Sequence, residues 1–149
     1  MLKAILTLLL TLVVTYSEAQ IPDYLGEVIC ISGNCRNGKG RVRLTARDNI
    51  EIESEFKKGS QYGPAKVYSK SGRLIYQGYL EKFTPHGKGK RFELDMNGKN
   101  IAVQEGQFEN NRLIEGITRS KNGEILTNGL YDSTGRLVKE TMRIPNDGN

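Results

Sequence analysis

The chain has 149 residues, 17 of them glycine and none tryptophan, and only 37% are hydrophobic. That is too little apolar mass for a large globular core, and it favours a thin, extended architecture. Twenty-two basic residues against 17 acidic ones give a formal charge of +5. Two cysteines and one histidine argue against a Cys/His metal cluster and leave a His-based triad hard to assemble.

The first element in chain order is a leader. Lys3 is followed by an apolar run from Ala4 through Val14, interrupted only by Thr7 and Thr11, and Ser17-Glu18-Ala19 puts small residues where a signal peptidase reads. This is the pattern of a secretory signal peptide, and the run falls short of the roughly 20 apolar residues of a membrane span. Residues 1–19 are therefore expected to be removed after Ala19, giving a secreted or periplasmic chain starting at Gln20; an uncleaved N-terminal anchor is the alternative. Lys3 and Glu18 cancel, so the remaining 130 residues, one domain's worth, keep the +5. Bulky Ile29 before Cys30 argues against lipidation. Residues 20–29, with Ile21-Pro22-Asp23-Tyr24, read as an N-terminal arm, 30–140 as a repeat array, and 141–149 as a polar tail.

An even cysteine count in an exported chain points to pairing. A Cys30–Cys35 disulfide would pin the first repeat, worth about 2–3 kcal/mol for so short a loop; two buried thiols are the alternative.

Internal similarity decides the rest. The segment from Ile52 through Phe56, Gly59 and Gly63 to Ala65 aligns with Tyr76, Gly78, Leu80, Phe83, Gly87 and Gly89. Each runs on to a glycine turn, at Ser71-Gly72 and Asn97-Gly98. A shortened first copy holds Gly33, Cys35, Gly38 and Gly40. A fourth opens at Gly106 and Phe108, and a fifth at Gly129, Tyr131 and Gly135. The bulky slot holds Cys35, Phe56, Leu80, Phe108 and Tyr131. Within copies the hydrophobic period is two: Ile50, Ile52 and Phe56 oppose Glu51, Glu53, Glu55 and Lys57, as in half-exposed strands. Asn-Gly pairs at Asn37, Asn97, Asn122 and Asn128 predict hairpins with two positive-φ residues. The chain reads as all-β and single-domain.

These residues resemble the MORN repeat family, whose unit runs roughly Tyr-x-Gly-x-aromatic-x-x-Gly, a variable stretch, then Gly-x-Gly. Tyr76, Gly78 and Gly87-Lys88-Gly89 match closely, and His86 sits where the family often has histidine. Ser54, Leu80, Phe83, Pro64-Ala65 and Asn111 depart from the pattern. The resemblance covers about Cys30 to Glu140 and implies an elongated, twisted antiparallel sheet of tandem β-hairpins. The stretch from Leu113 to Glu140 also resembles a looser MORN-like family associated with antitoxin components, which likewise implies protein binding.

No catalytic set is expected. Glu51, Glu53 and Glu55 read as a solvated strand face, His86 as part of a turn, and no cofactor is implied. Gly33 to Gly40 has the spacing of a phosphate-binding loop, but Gly40 stands where Ser or Thr is needed and Arg41-Val42-Arg43-Leu44 predicts a strand rather than a helix. The expected role is a non-enzymatic interaction or scaffold module binding another protein. The alternative is peripheral binding to an anionic membrane surface, a property linked to MORN modules, through a basic stripe of Arg41, Arg43, Lys57, Lys58, Lys88, Lys90 and Arg91 as candidate anion contacts. Nucleic acid is disfavoured because export removes it. Partner identity and oligomeric state are left open.

Overall fold

The computed structural model describes residues 26–141. The expected leader, the arm as far as residue 25 and the tail from residue 142 lie outside the described residues. Those described form ten strands: β1 Val28–Gly33, β2 Asn37–Leu44, β3 Ile50–Lys57, β4 Ser60–Tyr68, β5 Leu74–Glu81, β6 Thr84–Leu94, β7 Asn100–Glu109, β8 Arg112–Ser120, β9 Ile125–Tyr131 and β10 Leu137–Glu140. Each pairs antiparallel with its neighbours in sequence, giving one open sheet in the order β1 to β10. The fold is all-β, a run of hairpins as the period-two pattern requires. Strand β1 takes in Val28 and Ile29, the last two residues of the expected arm.

Two kinds of turn alternate. Lys58-Gly59, Lys82-Phe83 and Asn110-Asn111 close two-residue hairpins in which both residues have φ between 48° and 80°, the geometry whose twist matches the flanking strands. At the other end, Ser69–Arg73, Asp95–Lys99 and Ser120–Glu124 form five-residue loops. The first residue's N–H donates to the fifth residue's carbonyl, and the fourth residue, a glycine, donates back to the first. Side chains of the first residues cap these loops. Asp95 Oδ1 accepts from the N–H groups of Asn97 (2.9 Å) and Lys99 (2.8 Å), and Ser69 Oγ accepts from Arg73 N–H.

The Asn-Gly expectation is corrected here. At Asn97-Gly98 and Asn122-Gly123 only the glycine takes positive φ, because the five-residue loop needs a single left-handed residue at its end. Asn37-Gly38 and Asn128-Gly129 are not turns at all and lie inside β2 and β9. The paired positive-φ turns are Lys58-Gly59, Lys82-Phe83 and Asn110-Asn111, and the last two carry a much weaker sequence signal.

The repeat glycines fall into register. Gly33 pairs Gly40, Gly40 pairs Ser54, Ala65 pairs Gly78, Gly78 pairs Gly89, Gly89 pairs Gly106, Gly106 pairs Gly116 and Gly116 pairs Gly129. A line of small residues thus crosses the sheet. Neighbouring backbones close up along it: a Cβ on Gly78 would lie 2.4 Å from the Gly89 Cα, and one on Gly106 would lie 2.0 Å from the Glu115 carbonyl oxygen. Where the line holds Ser54, the hydroxyl is buried and lies 3.2 Å from each of the Tyr62 and Pro64 carbonyl oxygens.

The strands bend across this line. Arg47, in the β2–β3 loop, brings its guanidinium to Phe83 O (3.5 Å) and Thr84 Oγ1 (3.4 Å). Those groups belong to a tip at the opposite strand end, and a flat sheet would hold the two ends about 25 Å apart. Folding the tips over gives a single sheet an interior. Val42, Leu44, Ile52, Phe56, Ala65, Val67, Tyr76, Phe108 and Leu113 form one buried cluster, with Cys35, Leu80, Phe83 and Tyr131 packed against it. All five bulky-slot residues therefore contribute to one cluster or its margin. The Tyr76 and Phe108 rings contact edge to face at 5.4 Å. Along the row Val42, Ile52, Val67, Tyr76, Arg91, Gln104, Thr118, Thr127, the inner face passes from apolar to polar.

Candidate functional site

The outer face alternates in charge from strand to strand. Lys39, Arg41 and Arg43 of β2 stand opposite Glu55, Glu53 and Glu51 of β3. Glu51 receives both arginines, Arg41 Nε at 3.1 Å and Arg43 Nη2 at 2.7 Å, and the Arg41 guanidinium lies 4.4 Å over the Tyr68 ring. On β6, Lys90 lies 3.5 Å from the Glu105 carboxylate of β7. Glu53 and Glu55 are exposed, as on a solvated strand face, while Glu51 is held by two cations of the neighbouring strand.

The seven basic residues do not form one stripe, which corrects the expectation. Strand alternation puts Lys88 and Lys90 outward but Arg91 inward, beside Tyr76. Arg91 Nη2 donates to the Asn111 backbone carbonyl and Oδ1, both at 2.6 Å, and its guanidinium lies 4.9 Å over the Phe108 ring. Burial holds its pKa below the usual arginine range, against the opposing field of Tyr76 and Glu93. Lys57 and Lys58 sit at a hairpin tip, while acidic β3 stands between Arg41 and Arg43 on one side and the β6 lysines on the other.

What the outer face does offer is a groove along the glycine line, with a volume of about 830 Å3. Gly78, Gly89, Gly106 and Gly116 floor it, and Gln77, Lys88, Lys90, Glu105, Gln107 and Glu115 wall it. Through Pro64 and Gln77 it continues into a second hollow of about 370 Å3, bounded by Glu53, Glu55, Tyr62 and Lys66. Tyr62 and Tyr79 are 62% and 52% exposed, and Tyr79 stands opposite Pro64. Flanking residues of both signs stand up on either side of this backbone floor. Such a surface combines polar rims with amphipathic rings, the composition of protein-binding patches.

Cys30 and Cys35 are joined, with Cα atoms 6.0 Å apart, a bond compatible with an oxidising compartment. His86 sits in β6 next to a turn, its Nδ1 3.5 Å from the Glu81 carboxylate. Sequence reasoning found Gly78, Gly89 and Gly106 of the floor as repeat glycines and Lys88 and Lys90 of the walls as basic residues, and missed Gly116 and the rest of the walls. Gln77, Glu105, Gln107 and Glu115 carry no local signal and become neighbours only through the strand register. It also missed Arg47, whose position depends on the bend.

No family model matches the chain, and no curated protein matches it in sequence.

Proposed function

We propose that this chain is an exported, non-enzymatic MORN-type repeat module that binds another protein along its outer groove. One observation carries the reading: a polar groove with a backbone floor, mixed-charge walls and exposed tyrosines runs across the strands. Its charge pattern would select a partner of complementary pattern more than it would add affinity. The alignment of five bulky-slot residues in one cluster or at its margin and of the repeat glycines in one line supports the MORN-type assignment, and the disulfide supports export.

Photo-crosslinking residues at Gln77 and Gln107, with Met96 on a distal loop as control, test the proposal in the native envelope. A discrete protein adduct from the groove positions, lost on Glu105→Lys, is the expected result. No adduct, or an equal one from Met96, sinks it. The second reading, binding to anionic phospholipid, draws on Lys88 and Lys90 together with Lys57 and Lys58, and the intervening glutamates weigh against it. Salt-sensitive sedimentation with anionic vesicles, abolished by Lys88→Glu and Lys90→Glu and without a protein adduct, would replace the first reading by the second.

A further inference from the structure

Three lysines of the outer groove have no ion pair among the described residues. Lys39 of β2, Lys66 of β4 and Lys88 of β6 are exposed and line the two continuous hollows, whereas Arg41 and Lys90 are each held by a glutamate. Strands β3 and β5 separate them in the sheet, so the unpaired lysines recur at every second strand. Adjacent strands lie about 4.7–4.9 Å apart, which puts the step between these charges at about 9.4–9.8 Å.

The same surface limits the conformation of what can lie in it. Lys88 and Lys90 flank Gly89 two residues apart, about 6.6 Å along the strand, and a helix with its side chains is about 10–12 Å across. A helix is too wide for the floor. Strand addition is closed off as well, because β4 to β8 each have a strand on both sides and their backbone groups are committed to those ladders. A single extended chain remains. A β-type chain presents the same face every two residues, about 6.6–6.8 Å, out of step with the lysines. A polyproline II helix presents it every three residues, about 9.3 Å, close to the two-strand step.

We propose that the groove takes a partner segment in the polyproline II conformation, with an acidic residue at every third position and proline between. This rests on the protein-binding reading of the groove and adds the partner's chemistry. Acidic side chains at i, i+3 and i+6 meet Lys39, Lys66 and Lys88 in turn. Proline rings pack on the exposed Tyr62 and on Tyr79, which stands opposite Pro64, as proline-rich segments do on aromatic-lined grooves. Proline brings no N–H, so the segment leaves few donors unsatisfied against a floor whose carbonyls are already bonded. Glu53 and Glu55 of β3 fall at the half-step between Lys39 and Lys66, where this period puts no acidic residue and a uniformly acidic chain would be repelled.

Fluorescence anisotropy and heteronuclear NMR of the full chain with a peptide of four Glu-Pro-Pro units test the proposal. Saturable binding with shifts along the groove is expected. Four Glu-Pro-Pro-Pro units carry the same charge at a step of about 12.4 Å and should bind about tenfold more weakly, as should four flexible Glu-Gly-Ser units. Tyr62→Thr with Tyr79→Thr should weaken binding about tenfold, and so should Lys39→Gln with Lys66→Gln and Lys88→Gln. Lys57→Gln with Lys58→Gln, at a hairpin tip, should leave it unchanged. Every substituted side chain is exposed, and an unchanged urea midpoint checks that the fold is kept. Absence of saturation, equal binding of either control peptide, or affinity indifferent to the three lysines overturns the proposal. A protein adduct from Gln77 and Gln107 without peptide binding rejects this ligand and keeps the protein-binding reading, whereas absence of both rejects both. Anionic vesicles captured through the same three lysines, with no peptide binding, assign them to a lipid surface and overturn the proposal.

Discussion

An alanine at position 89 would place its methyl carbon 2.1 Å from the Tyr76 hydroxyl oxygen and 2.5 Å from the ring carbon that bears it. Tyr76 has little freedom to retreat. It is 2% exposed, packs edge to face on Phe108 and donates its hydroxyl to Tyr79 O at 3.0 Å. The ring must shift by about 1 Å to regain an ordinary contact distance. Overpacking of this kind costs about 1–3 kcal/mol, the hydrogen bond about 1 kcal/mol, and part of the aromatic contact up to about 1 kcal/mol. Gly89→Ala is therefore expected to destabilise by about 3 kcal/mol. In urea unfolding the midpoint should fall by about 1.5–2 M at an unchanged slope of about 1.5–2 kcal/mol per M. Gly72→Ala is the control: nothing lies within 4 Å of its added Cβ and only its φ of +78° opposes the change, at about 1–2 kcal/mol. A Gly89→Ala cost no larger than the control's would refute the close-packing argument. In a double-mutant cycle, Tyr76→Phe should cost about 1 kcal/mol alone and less when combined with Gly89→Ala, because it removes the atom in closest conflict.

Three other outcomes are expected. Cys30→Ser with Cys35→Ser should lower stability by about 2 kcal/mol, the chain-entropy value for a sequence separation of 5, and speed amide exchange in β1 most. Burial, partly offset by Arg91, pushes the Tyr76 phenol up to about 12, so its stabilising contribution is complete below the ordinary tyrosine value near 10 and is lost as pH rises from 10 through 12; Tyr76→Phe should flatten the fall of the melting temperature over that window. Arg91→Met removes two hydrogen bonds to Asn111 and the cation over Phe108; urea unfolding should show a loss of about 2 kcal/mol, while an Arg91→Met protein of wild-type stability would mean the tip is held by backbone contacts alone.

The strands were legible in the sequence because period-two alternation marks a half-buried sheet, and Ile50, Ile52 and Phe56 against three glutamates leave little choice. The repeat glycines were legible for a different reason: spacing exposes them even where the bulky residue varies from cysteine to tyrosine. The turn classes were not. Lys82-Phe83 adopts paired positive φ because the strands on either side demand that twist, a tertiary requirement that overrides local preference. The face assignment of Arg91 failed through proximity: lysines at 88 and 90 suggested a cluster, whereas one further residue along a strand crosses to the other side. The groove walls depend on register and bending, and leave no contiguous trace in the chain.

The glycine line also fixes where this polypeptide can grow. Gly33, Ser54, Gly78, Gly106 and Gly129 each stand two positions before a bulky-slot residue, yet the bulky slots themselves are unevenly spaced. The invariant step carries the side chain from the crease onto the interior face, so one added residue there would turn it to solvent. The uneven remainder falls in the arms and the distal loops, where closure entropy rises only about 0.6 kcal/mol per doubling of length. A lineage of such chains can therefore vary its arm lengths and loop decorations freely while the crease keeps count, and a tag or epitope inserted between Asp95 and Lys99 should be carried at the same small cost.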